Sequence, residues 1–320
     1  MGIRHAVMGA AIAASLATPA YALDTLKLAI GQHGLWDSSF AEAGQKTGIF
    51  KKYGLDVQTF YTSSGGETLQ VVISGSSNIG VSAGTLGVLG AYAKGAPLRI
   101  IAGEATGTAE YYFVKADSPI KKLQDAKPEN TLAYSTNGSG THITALRFMK
   151  KYDIHPKLVS TGTVPATFTQ VMSGQIDIGF STPPFGLKEE SEGKIRILAL
   201  ADDLESIRTQ TVRVIVANAK DLAARPDVYK RFVKAYGEVI DFMYSSDPKA
   251  LEIYAQHGNV TPAMAKTVRD KFYPKSMLQL GRIDGLDGMM EDAVAFKYLA
   301  KPLTAEQQKE LLQLQLQAGK

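Results

Sequence analysis

The chain contains no cysteine, which excludes disulfides, thiolate metal sites, cysteine lipidation and a cysteine nucleophile. Small exported domains lean on disulfides because their cores are small, but 320 residues are enough to bury a core without them. Blocks of one charge are missing too. The 35 Lys and Arg stand against 31 Asp and Glu without a run of either, so nucleic acid or an anionic membrane is not implied as a partner. None of the five histidines has a partner at i,i+3 or i,i+4, the spacing that sets two ligands on one helix face, and no metal or other cofactor is expected. Long apolar runs are also lacking. Ile79–Ala93 is uncharged but broken by Gly80, Gly84, Gly87 and Gly90, which suits a buried strand and a closely packed helix better than a membrane span. Tryptophan occurs once, at Trp36.

What is present begins with an export signal. Arg4 and His5 form a short basic region, Ala6–Thr18 is small and apolar, and Ala20-Tyr21-Ala22 fits an A-x-A cleavage site. The expectation is cleavage after Ala22 and a periplasmic location. The run is too short to span a bilayer; the alternative is a buried N-terminal helix.

The strongest internal signal is a repeat. Lys51–Ala83 returns ungapped ninety-nine residues later as Lys150–Thr182. Lys51-Lys52-Tyr53 matches Lys150-Lys151-Tyr152, and Val72-Ile73-Ser74-Gly75 matches Val171-Met172-Ser173-Gly174. Two copies are too few and too long for a solenoid, so two similar α/β lobes facing a cleft are expected. In the first, strands fall at Leu26–Ile30, Val57–Tyr61, Asn78–Val81 and Leu98–Ala102, with helices at Ser39–Phe50 and Thr68–Ser74. Ser64-Gly65-Gly66-Glu67 reads as a capping box, and Thr163 takes the equivalent cap with Pro165 just inside its helix. The second copy repeats the order through Phe180, and strand–helix alternation argues for parallel sheets. After Asp221 the pattern is helical, with starts at Asp247-Pro248, Thr261-Pro262 and Thr304. The expected division is residues 1–22 as signal, 23–112 with 217–320 as the first lobe, and 113–216 as the second. The crossings would form a hinge near 113–117 and 212–217.

Gly48-Ile49-Phe50-Lys51-Lys52-Tyr53-Gly54-Leu55-Asp56-Val57 carries a G-x-F-x-x-x-G-L-D-V pattern. With Ser74-Gly75, Asn78-Ile79-Gly80, Asp117-Ser118-Pro119-Ile120-Lys121 and Ser173-Gly174-Gln175-Ile176-Asp177, the chain resembles periplasmic solute-binding proteins of the nitrate/sulfonate/taurine (NMT1/THI5-like) family. The likeness is strong through about Ser181 and weak in the helical C-terminus. It implies a type II two-lobed fold that closes like a flytrap, a monomer, and a non-enzymatic receptor that hands a small organic anion to an ABC permease. Two departures matter. Leu123-Gln124-Asp125-Ala126-Lys127-Pro128 stands where the family has Leu-Lys-Gly-Lys, and Ser181-Thr182-Pro183-Pro184 where it has a Trp-Glu-Pro-like segment. The second falls at a ligand loop, so the usual ligands do not carry over. A receptor for a thiamin-type pyrimidine precursor is the alternative within the fold. A synthase of that group would need a cysteine-rich segment.

Ligands of open α/β sheets sit beyond the carboxyl ends of the strands, and the strand exits supply the candidates. Ser135-Thr136-Asn137-Gly138-Ser139-Gly140-Thr141 combines small residues with a helix start, which suits an acidic head group without Lys or Arg; Thr141 as a plain cap is the bland alternative. From this loop Thr136, Asn137, Gly138, Ser139 and Thr141 are taken as ligand-binding. Ser64 and Gly65 can cap and donate at once. Gln32, His33 and Trp36 follow the first strand, with Trp36 as a stacking wall or a core residue and Phe185 and Tyr112 as further candidate walls. Ser82 and Gly84, at the exit of the third strand, and Thr182 and Pro183, at the equivalent exit in the second copy, are also taken as ligand-binding. Arg213 is the best-placed permanent cation, for a ligand acid or for a salt bridge between lobes. Gly80-Val81-Ser82-Ala83-Gly84 also matches the serine-hydrolase elbow, with His257 as base; no HGGG-type oxyanion motif precedes it, and Ser82 has a twin in Ser181.

Overall fold

The computed structural model describes residues 22–316, and the expected signal segment lies outside them but for Ala22. These residues form ten strands and fourteen α-helices, the last six helices following the tenth strand with no strand between them. The strands are β1 (Asp24–Gly31), β2 (Leu55–Thr62), β3 (Ile79–Gly84), β4 (Leu98–Thr106), β5 (Tyr111–Lys115), β6 (Thr131–Tyr134), β7 (Lys157–Ser160), β8 (Gly179–Ser181), β9 (Ile195–Leu200) and β10 (Thr211–Asn218). The first sheet runs β2-β1-β3-β10-β4. In the second, β8-β5-β9 is joined to β6-β7 by a parallel bridge from Leu132 to Ile178, giving the order β7-β6-β8-β5-β9. The two orders correspond. Each sheet has three parallel strands, then one antiparallel strand, β10 or β5, that is the first strand after a crossing.

The helices fill the faces. They are α1 (Phe40–Lys46), α2 (Ile49–Lys52), α3 (Gly65–Ile73), α4 (Thr85–Ala93), α5 (Gly140–Tyr152), α6 (Val164–Met172), α7 (Leu187–Ser191), α8 (Glu205–Arg208), α9 (Ala219–Ala224), α10 (Pro226–Met243), α11 (Pro248–Gly258), α12 (Pro262–Thr267), α13 (Leu286–Ala295) and α14 (Ala305–Leu311). One core cluster packs α1, α10 and α11 on the first sheet; the other runs from α3 and α4 into the second lobe. No helix among the described residues is long and apolar enough to cross a membrane.

The repeat holds down to single hydrogen bonds. Thr62 Oγ1 pairs with Thr68 Oγ1 at 2.7 Å, and Thr161 Oγ1 with Thr167 Oγ1 at 2.6 Å. Ser64 and Thr163 cap α3 and α6, and Gly75 and Gly174 both end their helices at φ 79°, a conformation glycine takes without a Cβ clash.

Several expectations need correction. Gly48, at φ 74°, splits the expected Ser39–Phe50 helix into α1 and α2. The capping-box glutamate reaches one residue further back, with Glu67 Oε2 accepting from Ser63 N at 2.7 Å. Of the segments expected as hinge strands, 212–217 lies inside the first sheet, paired with β3 and β4, and residues 113–115 of 113–117 lie inside the second, paired with β8 and β9, while 116–117 form a turn. The connections between the sheets are residues 107–110 and 201–210, so 211–216 belong with the first unit and 111–112 with the second. The two connections run side by side, Gly107 N donating to Gln210 O at 3.2 Å and Thr108 N to Asp202 Oδ1 at 3.2 Å.

Candidate functional site

The carboxyl ends of β1, β2, β3, β6 and β8 face one another across a cleft holding a cavity of about 50 Å³. Its first wall is Gly31, Gln32, Leu35, Ser63–Gly65 and Ser82; its second is Ser135, Ser139–Thr141, Val164, Phe180 and Thr182; Glu110 and Arg213 complete it. Helix starts supply both walls. Ser64 Oγ accepts from Glu67 N and Ser139 Oγ from His142 N, each at 3.3 Å. These caps leave the first N–H groups of α3 and α5, at the lining residues Gly65 and Gly140, without an intrahelical partner. The positive ends of two helices from different lobes therefore meet here.

The lobes touch directly. Ser64 Oγ and Thr136 Oγ1 lie 2.7 Å apart, Val164 N donates to Gln32 Oε1 at 3.2 Å, and Gly138 N donates to Tyr298 OH at 3.0 Å. Beyond the cavity, α5 is tied to α13 by the buried pair Arg147–Asp292 at 2.8 Å.

A charged cluster lies behind the floor. Arg213 approaches Asp37 at 3.0 Å, both nearly without solvent exposure, yet off hydrogen-bond alignment, for neither Asp37 oxygen nor Arg213 Nε or Nη2 has a partner. Glu104 accepts from Ser82 N at 2.6 Å and from Ser82 Oγ at 2.8 Å. Burial pushes Glu104 up to about 7 against the pull of Arg213, and burial likewise raises Glu110. Burial works against the Arg213 guanidinium, but Asp37 and Glu104 outweigh it and its pKa rises.

Of the residues expected from the sequence, Gln32, Ser64, Gly65, Ser82, Ser139, Thr141, Thr182 and Arg213 line the cavity. The others do not. His33 is exposed and lies tilted against the His257 ring, centroids 4.1 Å apart. Trp36 has no exposed surface; its indole donates to Tyr244 OH at 2.9 Å, inside the first lobe's core. Thr136, Gly84 and Gly138 are contact points between lobes, where glycine is needed because a Cβ on Gly84 would collide with the Gly138 carbonyl. Asn137 Oδ1 accepts from Tyr134 OH at 2.8 Å, and Pro183 stands outside the lining. Tyr112 is buried with its hydroxyl donating to Thr141 O at 2.9 Å, and Phe185 packs against Gly34. Arg213 pairs within the first lobe, with Asp37, rather than between lobes. Thr141 is not the cap of α5; Ser139 is.

The hydrolase alternative loses its base. His257 Nδ1 is 2.8 Å from Glu42, its Nε2 receives Gly34 N at 3.1 Å beside Ser38, and Ser82 gives its hydroxyl to Glu104. Among the described residues no cluster of His, Asp and Glu could hold a metal ion. Glu104 and Glu110 were not among the expected residues. The available signal was a lone acid late in an apolar strand and another directly before one.

Comparison with known proteins places this geometry in a family. The NMT1/THI5-like family model matches residues 40–250. A Brucella abortus (strain 2308) protein named a "putative binding protein" is 26% identical over 281 residues, covering 84% of this chain and 85% of its own. The alkanesulfonate-binding protein SsuA of Xanthomonas axonopodis pv. citri, bound to MOPS, superposes with TM-score 0.71 at 16% identity over 85% of this chain and 90% of its own. The aliphatic sulphonate-binding protein SsuA of Escherichia coli gives 0.70 at 18% over 93% and 94%. The nitrate-binding protein NrtA of Synechocystis PCC 6803 gives 0.65 at 14% over 90% and 85%. At these identities the structures speak for the two-lobed fold, while the family match extends over most of both lobes: the chain belongs to the NMT1/THI5-like family.

Proposed function

We propose that this chain is an exported, monomeric solute receptor of an ABC importer. It holds a small organic anion, a sulfonate or a carboxylate, between its lobes and delivers it to the permease. The observation carrying this reading is the convergence of the α3 and α5 N-termini, one from each lobe, on a single cavity rimmed by Ser64, Ser82, Ser139 and Thr141. An acidic head group bound there touches both lobes, so its affinity is higher for the closed arrangement and it shifts the population toward closure. The fold shared with sulfonate- and nitrate-binding proteins supports the same class of ligand. The chain is a binding protein and not an enzyme: the one elbow-like serine, Ser82, is committed to Glu104.

The test is a thermal-shift screen of the chain from Leu23 onward against sulfonates, aliphatic acids and aromatic acids. A ligand at a hundred times its Kd stabilises the fold by about 2.7 kcal/mol, which is a shift of several degrees. The small cavity leads us to expect compact acids to give the largest shifts. If no acid in the screen moves the melting temperature, the anion-receptor reading fails.

A further inference from the structure

The repeat that builds the two lobes also joins them. Leu28-Ala29-Ile30-Gly31 echoes Leu132-Ala133-Tyr134-Ser135, so Gln32 after β1 corresponds to Thr136 after β6, as the start of α3 corresponds to that of α6. Each strand exit reaches the helix start of the opposite lobe. Gln32 Oε1 accepts from Val164 N at 3.2 Å, and Thr136 Oγ1 lies 2.7 Å from Ser64 Oγ. One contact is thus made twice, once in each direction across the cleft.

The two bonds differ in weight. At α3 the Ser64 hydroxyl already accepts from Glu67 N at 3.3 Å, so Thr136 joins a group that has a partner. At α6 the donors are counted out. Thr163 Oγ1 accepts from Ala166 N at 3.2 Å, Thr167 N reaches Thr163 O at 3.0 Å, and Pro165 has no N–H. Among the described residues, Val164 N is the one first-turn donor of α6 that its own lobe leaves unanswered, and Gln32 answers it from the other lobe. Val164 is buried, which makes an unanswered donor costly there. Gln32 Nε2 donates to His33 O at 3.2 Å, and this fixes which end of the amide meets Val164. The backbone of Gln32 lies at φ 56°, a left-handed conformation that a residue with a Cβ holds at a cost. Strain retained at the edge of a cleft points to work done there.

We propose that Gln32 is a positioning residue of this receptor: its amide oxygen completes α6 as the lobes meet, so that affinity for an acid depends on a bond in which the acid takes no part. This rests on the reading of the cleft as an organic-acid site. With the lobes apart, water serves Val164 N; with them together, Gln32 replaces the water. The bond favours the arrangement that holds the ligand, and its loss lowers the population of that arrangement and weakens apparent binding in proportion. Thr136 makes the mirrored contact and contributes less.

The experiment is calorimetric titration of the chain from Leu23 onward with ethanesulfonate, propionate and benzoate, alongside unliganded melting temperatures. Glycine suits φ 56° better than glutamine, so Gln32→Gly is expected to hold or raise the melting temperature while binding the best of the three acids about fivefold or more weakly. Val164→Pro deletes the donor at a helix position that proline accepts, and it is expected to weaken binding likewise. The double variant should bind no more weakly than the poorer single variant, because both changes break one bond. Thr136→Val should lose less than Gln32→Gly. Unchanged affinity in Gln32→Gly, losses that add in the double variant, a larger loss in Thr136→Val, or a Gln32→Gly melting temperature several degrees lower each overturns the role of Gln32 and leaves the organic-acid site standing. Binding of none of the three acids to the wild type overturns both. If Val164→Pro does not fold, Gln32→Asn takes its place. Asparagine accepts the left-handed backbone but is one methylene short of Val164, so it should bind as weakly as Gln32→Gly; affinity equal to the wild type counts against the bond.

Discussion

Ser82 gives both its backbone N–H and its hydroxyl to the carboxylate of Glu104, at 2.6 and 2.8 Å. The pairing stabilises an unusual backbone, for Ser82 sits at φ 66°, a left-handed conformation that residues with a Cβ seldom take. It turns the end of β3 into the cavity floor. Replacing Glu104 by Leu leaves the buried Ser82 N–H without an acceptor, and the expected loss is roughly 1–3 kcal/mol. Urea unfolding of the wild type and Glu104→Leu measures it. An unchanged midpoint would mean that something other than Glu104 holds the turn.

His142 supplies a pH dependence whose sign is fixed by its surroundings. Its Nδ1 faces Gly138 N at 3.3 Å and Tyr298 OH at 2.5 Å, and its ring stacks on Tyr134. Burial lowers its pKa from 6.5 to about 4. The folded chain therefore resists the proton that the unfolded chain accepts. The stability this contributes is complete above about pH 6.5 and is lost as pH falls toward 4. Melting temperatures measured near neutrality and near pH 5 should fall further for the wild type than for His142→Gln, which cannot titrate. Parallel falls would remove the imidazole from the account.

Trp36 illustrates which parts of the molecule are legible in the chain and which are not. The repeat carries the two lobes, the caps at Ser64 and Thr163 and the helix stops at Gly75 and Gly174, because each is a local choice of residue for a backbone conformation. The cleft lining is half legible for the same reason, since strand exits are local. Trp36, by contrast, follows the first strand as a ligand wall would, yet Tyr244 and Tyr254 enclose it, more than two hundred residues downstream. Glu104 and Glu110 escape notice because the cation that defines them, Arg213, arrives about a hundred residues later. The measurable consequence is a blue-shifted Trp36 emission that iodide does not quench and that saturating ligand barely alters. A large emission change on binding would show the first lobe's core rearranging, contrary to a rigid-lobe closure.

Gly84 offers the sharpest test of closure itself. Its φ is −66°, so alanine suits the backbone, and the three atoms nearest the extra methyl all belong to the second lobe. The Cβ would press on the Gly138 carbonyl and lie 3.0 Å from the Ser139 backbone carbon. Both are backbone atoms of the loop that starts α5 and cannot swing aside as a side chain can. Gly84→Ala should therefore fold with a nearly unchanged unliganded melting temperature while holding the lobes apart. The cavity would be split between its two walls, and ligand affinity should drop by a factor of about ten or more, the equivalent of about 1.4 kcal/mol. Small-angle scattering with and without ligand, alongside titration, reads both effects. A variant that contracts on ligand addition and binds as tightly as the wild type would show that the Gly84–Gly138 contact does not set the closed distance.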